Sequence, residues 1–338
     1  PEKNSHILFF EPVAKGSREI YVQNFSTSLP YDIQLAMTRT LPGCSAAKIL
    51  RPGYAIEYDY INPTSLTPWL ETKNIQRLFF AGQINGTSGY EEAASQGLLA
   101  GINAVLCLRG DEPLVLGRHE AYMGVLVDDL VTKGTREPYR MLTSRCEYRL
   151  LLRHDNADQR LACLGRRLGL LDDQRWAVLE KRWEIINRET NRLEKSRIYP
   201  SKRLNDDLIA LGESPLDRTV SGDDLLRRPK VTYDMIVNYL PSEVEIDRDL
   251  THRVEVQIKY AGYIDRQLRS VHKLERMENL TIPDDFDYRS ISGLLTESLE
   301  KLEQIRPMTL GQAGRISGVT PTDLELLSTA LSARKRHS

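Results

Sequence analysis

Two short stretches hold side chains that could do chemistry. In "LFFAGQINGTSGYEEAASQGLLAGINA", Leu78 to Ala104, an apolar run enters a turn containing Gly82, Gly86 and Gly89 and leaves it near Tyr90 and Glu91 as a helix. The first N–H groups of a helix have no partner within it and carry partial positive charge, so such a turn attracts phosphate or other electron-rich groups. Gln83 and Asn85 both donate and accept hydrogen bonds, which suits a heteroaromatic ring or a ribityl chain better than a metal ion. The competing reading is a tight strand-to-helix turn without a ligand, since glycine-rich turns are common. In "EPYRMLTSRCEYRLLLRHDNADQR", Arg140, Arg145, Arg149, Arg153 and Arg160 crowd one span. Arg145, Arg149 and Arg153 are spaced four apart, one face if the span is helical. Guanidinium groups grip phosphates through paired hydrogen bonds, and Tyr139 and Tyr148 could stack on an unpaired base. The alternative is a solvated helix face paired with Glu147, Asp155 and Asp158.

Elements must position these residues, and their pattern changes along the chain. Up to about residue 107 the reading is mixed α/β. "HILFFEP" and "EIYVQNF" are rich in aromatic and β-branched residues and predict strands. "LPYDIQLAMTRTL" predicts a helix capped by Ser28, "AKILRPGYAIEYDYI" alternates like a strand, and "LFFA" predicts a buried one. Ala93, Gly97, Ala100, Gly101 and Ala104 give the helix after the turn a small-residue face for tight packing on a sheet. From about Glu120 the pattern is helical. "EAYMGVLVDDLVTKG" stops at Gly134, and a long charged helix starts after Asp172-Asp173 with Trp176, Leu179, Trp183, Ile186 and Leu193 on one stripe. Tyr199 to Ser221 reads as loop, "GDDLLRRP" as the start of a helix, and "VEVQIKYAGYIDRQLRSVHKLERME" as a second long helix whose Tyr260 and Tyr263 pack inward. "TLGQAGRISGVTPTDLELLSTALSARK" predicts helix, turn, helix. Its second helix is acidic and apolar, so the pair reads as packing rather than DNA recognition.

The chain's 338 residues are enough for about two domains, and a net charge of −1 argues against a simple nucleic-acid binder. Yet Lys133 to Arg203 holds eighteen Lys and Arg against ten Asp and Glu, a region fit to face a polyanion. Cys44, Cys107, Cys146 and Cys163 are widely spaced with no CxxC, so neither zinc nor a disulfide framework is expected and a reducing, cytoplasmic setting fits. Cys107 and Cys146 read as inert. The six histidines form no ligand cluster, and no apolar run reaches the roughly 20 residues of a membrane span. An opening at Pro1 marks an expected fragment.

The glycine turn, "STSLP" at 26–30, "RPGYAIEYDYINP" at 51–63, "GVLVDDLVTKGTREPYRMLTSRCEYRLLLRHDNAD" at 124–158, "YAGYIDRQ" at 260–267 and "TLGQAGRISGVTP" at 309–321 together resemble the MnmG/GidA family, flavoproteins of bacterial tRNA wobble-uridine modification. That resemblance implies part of a two-part, Rossmann-like FAD-binding domain (residues 1–119), an arginine-rich helical linker (120–160) and an all-α domain binding tRNA and a partner (161–338). It implies FAD contact by Gln83, with Asn85, Gly86, Thr87, Gly89, Tyr90 and Glu91 forming the turn and helix start beside the flavin ring. It assigns tRNA contact to Arg140, Arg145, Arg149 and Arg153. NADH and methylene-tetrahydrofolate would be used by the whole protein, which would form a homodimer and a heterotetramer with the GTPase MnmE. The family's dinucleotide-binding glycines and redox-active cysteines are expected upstream of Pro1, so none of the four cysteines is given a catalytic role. Two other readings stay open: a folate- and FAD-dependent tRNA uridine methyltransferase, and a module that only binds tRNA and the GTPase.

Overall fold

The computed structural model describes residues 5–242, 246–278 and 280–337. They divide into two compact units, Pro1–Asp59 and Tyr60–Ser338.

In the first unit, β1 (Phe9–Pro12) and β2 (Ile20–Gln23) form the expected strands, paired antiparallel with Phe9 opposite Gln23. Helix α1 (Tyr31–Arg39) starts directly after Pro30, so Ser28 lies outside it and is not its cap. The buried Gln34 of α1 binds Gly53 in both directions, donating to its carbonyl at 2.9 Å and accepting from its N–H at 2.8 Å. It thereby ties "RPG" to the segment that follows "STSLP", whose Leu29 carbonyl it also binds. The alternating run 47–61 is extended but joins no ladder among the described residues. Tyr54, Ile56 and Tyr58, which share one face by alternation, are all exposed.

The second unit is helical. The expected "LFFA" strand is reduced to a single bridge between Glu71 and Phe79, with Phe79 and Phe80 half-buried. No parallel sheet occurs among the described residues. The chain continues as α2 (Tyr90–Arg109), α3 (Tyr122–Lys133), α4 (Ala157–Arg167), α5 (Asp173–Lys195), α6 (Lys202–Ala210), α7 (Gly222–Leu226), α8 (Tyr233–Val237), α9 (Arg248–Glu278), α10 (Thr296–Ile305), α11 (Leu310–Arg315) and α12 (Pro321–His337). Helix α6 lies where a loop was expected. Ser201 caps it and Leu204 and Leu208, one turn apart, are fully buried.

Helix α3 is the spine. Nine consecutive residues, Gly124 to Thr132, are buried, so the helix is enclosed on every side, with Asp128 and Asp129 among the buried residues. Val127 and Val131 join a core with Leu66, Leu70 and Leu99; Val125 joins another with Tyr148 and Leu152; Leu126 and Leu130 enclose Tyr139. A side chain at Gly124 would sit 2.4 Å from the Gly117 carbonyl, so only glycine lets the 116–118 segment lie against the spine. Helices α5 to α9 enclose a larger core around Ile186, Leu193 and Ile258; of the predicted stripe only Ile186 and Leu193 enter it, while Trp176, Leu179 and Trp183 are half-buried outside it. Arg253 of α9 clamps Asp158 of α4 through two bonds of 2.7 and 3.1 Å. Tyr260 and Tyr263 do not pack inward: both are exposed, with ring centroids 6.4 Å apart. Among the described residues no helix is long and apolar enough to cross a membrane.

The C-terminal helix pair packs as expected. Leu310, Ala313, Ile316, Leu327 and Leu331 fill a core with Tyr288 and Leu302. Thr320 and Asp323 form a capping box: the Thr320 N–H donates to Asp323 at 3.0 Å and the Asp323 N–H donates to the Thr320 hydroxyl at 3.3 Å. Asp323 also accepts from Ser298 Oγ at 2.7 Å and from the Leu295 N–H. Burial pushes its carboxyl up, but these hydrogen bonds outweigh burial and bring its pKa down to about 2. A carboxyl held below its unfolded value stabilises the fold above that value, and the contribution disappears as pH falls through the folded one. We therefore expect the 280–337 bundle to lose on the order of 2 kcal/mol between about pH 5 and pH 2 from this residue. Asp323→Asn should flatten that limb in urea unfolding followed as a function of pH; an unchanged acid limb would assign the loss elsewhere.

Candidate functional site

The glycine turn is built from its own polar side chains. Residues Gly82–Asn85 make one 3-10 turn, Gly86 closes it in the left-handed region at φ 80°, and α2 starts after Gly89. Gln96, fully buried on α2, accepts from the Gly82 N–H at 3.2 Å and from Asn85 Nδ2 at 2.8 Å. Its own amide donates to Thr87 Oγ1 at 2.8 Å and to the Glu92 carbonyl at 3.2 Å. Thr87 in turn donates to the Gly82 carbonyl, and Asn85 to the Phe80 carbonyl. Asn85 and Thr87 thus face inward as formers of the turn. Gln83 is half-buried with no side-chain partner among the described residues, while Ser88, Tyr90 and Glu91 are exposed.

The face of α2 that packs is the polar one, Glu92, Gln96 and Asn103 with Leu99 and Ala100. Of the small residues expected to lie on a sheet, Ala100 is buried and Ala93 and Ala104 are half-buried, but Gly97 and Gly101 are open: a side chain at either would meet nothing within 4 Å, and Leu98, Val105 and Leu108 are exposed.

One end of the arginine span meets the turn. The Tyr139 N–H donates to the Gly86 carbonyl at 2.7 Å, and Thr87 and Tyr139 form a parallel bridge. Glu92, absent from the sequence reading, joins the two segments: its Oε1 accepts from the Met141 N–H at 2.8 Å and from Arg140 Nε at 3.1 Å. Burial pushes the Glu92 carboxyl up, but these donors hold it below the ordinary value. Its other oxygen lies 1.8 Å from where a side chain at Gly89 would begin. Gly89 has an ordinary φ of −82°, so it is the carboxylate, not the backbone, that requires glycine there.

The remaining arginines are placed differently from the helical-face expectation. Between Glu137 and Asn156 only Thr143–Arg145 is helical, as one 3-10 turn, so the four-residue spacing puts no common face on Arg145, Arg149 and Arg153. Arg145 lies over the Tyr139 ring at 4.3 Å. Arg149 is exposed and makes no ion pair among the described residues. Arg153 is occupied by Asp155 through bonds of 2.9 and 3.1 Å. Tyr139 and Tyr148 are buried and cannot stack on a base. The Tyr139 hydroxyl donates to Asp129 at 2.8 Å, and burial followed by that carboxylate pushes its pKa up.

Beneath this segment lies a buried ion network. Arg118 donates to Asp128 at 2.9 Å, to Asp129 at 2.8 Å and to Glu147 at 2.7 and 3.0 Å. Arg315 of α11 donates to Asp128 at 2.8 Å, and Lys133 reaches Asp129 at 2.7 Å. Burial alone would push Asp129 up; Lys133, Arg118 and Tyr139 together hold it down. The legible signal was "DD" inside an otherwise apolar helix, since buried carboxylates need partners. Arg118, Arg315 and Glu147 also line a cleft of about 650 Å³ between α3 and α11.

Replacing Gln96 by Leu would leave the Gly82 N–H and the Asn85 and Thr87 side chains short of partners in a buried place. We expect about 3 kcal/mol of destabilisation in urea unfolding; a loss below about 1 kcal/mol would show that the turn does not depend on this amide.

Residues 1–112 match the family "Glucose inhibited division protein A". Residues 173–268 match the "tRNA modifying enzyme MnmG/GidA C-terminal helical domain", and 270–338 the corresponding "C-terminal helical bundle". The chain is 52% identical over 326 residues to the tRNA uridine 5-carboxymethylaminomethyl modification enzyme MnmG of Exiguobacterium sibiricum, covering 96% of this chain and 52% of that protein. The same values hold for MnmG of Bacillus subtilis. Among solved structures, Aquifex aeolicus GidA superposes with a TM-score of 0.81 at 42% identity, over 98% of this chain and 52% of that one. The chain therefore spans about half the length of the curated relatives it matches. With all three family matches pointing the same way and a solved GidA sharing its fold, the chain belongs to the MnmG/GidA family.

Proposed function

We propose that this chain works within a longer polypeptide as the flavin-turn and helical part of an FAD-dependent tRNA-modifying enzyme. The whole protein adds a carboxymethylaminomethyl group to C5 of the wobble uridine, acting with the GTPase MnmE in a heterotetramer, as a homodimer in the cytoplasm. The tRNA uridine 5-carboxymethylaminomethyl modification activity for which relatives 52% identical to it are named supports this reading. The observation that carries it is the joining of the glycine turn to Arg140 by the Gly86–Tyr139 and Glu92–Arg140 bonds, which puts flavin-type and phosphate-type groups in one unit. The expected division at residues 119 and 160 follows these roles. The matches of residues 173–338 to MnmG/GidA helical modules favour this reading over a methyltransferase.

The residues fit part of FAD. The free amide of Gln83 can bond a ring edge or the ribityl chain, with Gly86, Gly89 and Tyr90 beside it. The Glu92 carboxylate already faces the start of α2, so the place next to Gly89 suits an uncharged hydrogen-bonding edge and not the pyrophosphate. Bound flavin would supply hydride and carbon-unit transfer, drawing on NADH and methylene-tetrahydrofolate. The chain's own residues orient and bind: Gln83 holds the ring side, while Arg140 and Arg149 hold tRNA phosphate.

The C-terminal helices that would dock a partner are also tied to α3. Arg315 balances the buried Asp128, so removing 309–338 would disturb the spine as well as any surface.

In the full-length protein, Gln83→Ala is expected to lower the FAD retained on purification, read from flavin absorbance per protein. Full flavin content in the variant would take Gln83 out of the site. Arg149→Glu should weaken tRNA binding at low salt and reduce the slope of log affinity against log salt by about one. An unchanged slope would make this arginine structural.

A further inference from the structure

Arg140 is the arginine nearest the glycine turn, and how it is held decides what it can grip. Only its Nε is engaged, by Glu92. Among the described residues its two terminal nitrogens have no partner, and its side chain is 59% exposed against 4% for Glu92. A guanidinium offers five donors in a rigid plane, so a single bond at Nε fixes the plane and leaves the outer edge for a second, bidentate acceptor. Glu92 is itself immobilised by the Met141 N–H and by the close approach of Gly89.

We propose that Glu92 is a positioning residue: it holds the Arg140 guanidinium with its outer edge presented to an RNA phosphate beside the glycine turn. This rests on the reading that Arg140 meets tRNA. It also gives the carboxylate a role opposite to its charge. A buried anion next to an RNA-facing cation should weaken RNA binding if charge were all that mattered. Ordering a long side chain in advance removes an entropy cost from binding and should strengthen it. The two effects have opposite signs, which makes them separable.

The test measures tRNA affinity and its salt slope for the full-length protein and the variants Glu92→Ala, Glu92→Gln, Arg140→Ala and Glu92→Ala/Arg140→Ala. Arg140→Ala should weaken binding and lower the salt slope by about one. Glu92→Ala should weaken binding roughly three- to ten-fold with the slope unchanged, because the phosphate contact persists but is no longer prepared. Glu92→Gln keeps an acceptor for Nε and Met141 and drops the charge, so it should bind as tightly as the parent or somewhat more tightly. In the double variant the loss should equal that of Arg140→Ala alone. Flavin content and thermal midpoint, recorded for each variant, identify any loss due to unfolding, and Glu92→Gln carries the comparison if Glu92→Ala does not fold. Tighter binding by both Glu92 variants would overturn the proposal and leave Arg140 as a tRNA contact. So would an added loss in the double variant, or, where Glu92→Ala does not fold, clearly weaker binding by folded Glu92→Gln. No effect of Arg140→Ala would sink both the proposal and the tRNA role of Arg140.

Discussion

Two adjacent carboxylates inside a buried helix impose the main constraint on the second unit. Asp128 and Asp129 sit in the middle of α3, where every neighbouring position is buried. Unpaired charges in such a place would cost several kcal/mol each, so the fold must bring cations and donors to them. Lys133 comes from the last turn of α3 itself, and three other segments supply the rest: Arg118 from the loop before α3, Tyr139 from the arginine span and Arg315 from the C-terminal helices. Each of these segments is thereby fixed relative to the spine.

The consequences run outward from there. Tyr139, held by Asp129, aligns its backbone with the Gly86 carbonyl, so the arginine span and the glycine turn meet. Glu92 then closes the junction from the turn's own helix, and Gln96 supports it from below. Most inner polar groups of the turn are satisfied by its own residues, but Asn85 Oδ1 and Glu92 Oε2 are buried without a hydrogen-bond partner among the described residues. The outer surface carries Gln83, Ser88, Tyr90 and the free edge of Arg140.

Much of this was legible in the sequence where periodicity and caps agree. The bounds of α3 and α5 follow from Gly134 and from Asp172, and the final helix pair from its apolar spacing and the turn at Gly318. The strands at 47–61 and 78–82 were read from alternation and an apolar run, which report burial or extension but not a partner to pair with. Helix α6 was hidden by its polar sequence, although the Ser201 cap and the Leu204–Leu208 spacing mark it. In the candidate site, the turn and Arg140 were visible as residue types. Glu92 was not, because beside the exposed Glu91 only the contact with Met141 and Arg140 tells the two apart. The burial of Tyr139 likewise depends on Asp129, a partner no local pattern names.

The carboxylate pair on α3 holds the turn and the arginine span together. Hydrogen exchange in the Asp129→Asn variant tests it most directly. Loss of the charge should weaken the Tyr139, Lys133 and Arg118 bonds at once, so amides in 82–89 and in 137–147 should lose protection together while α5 and α9 keep theirs. If the glycine turn kept its full protection while 137–147 became fast-exchanging, the two segments would be independent and the account would be contradicted.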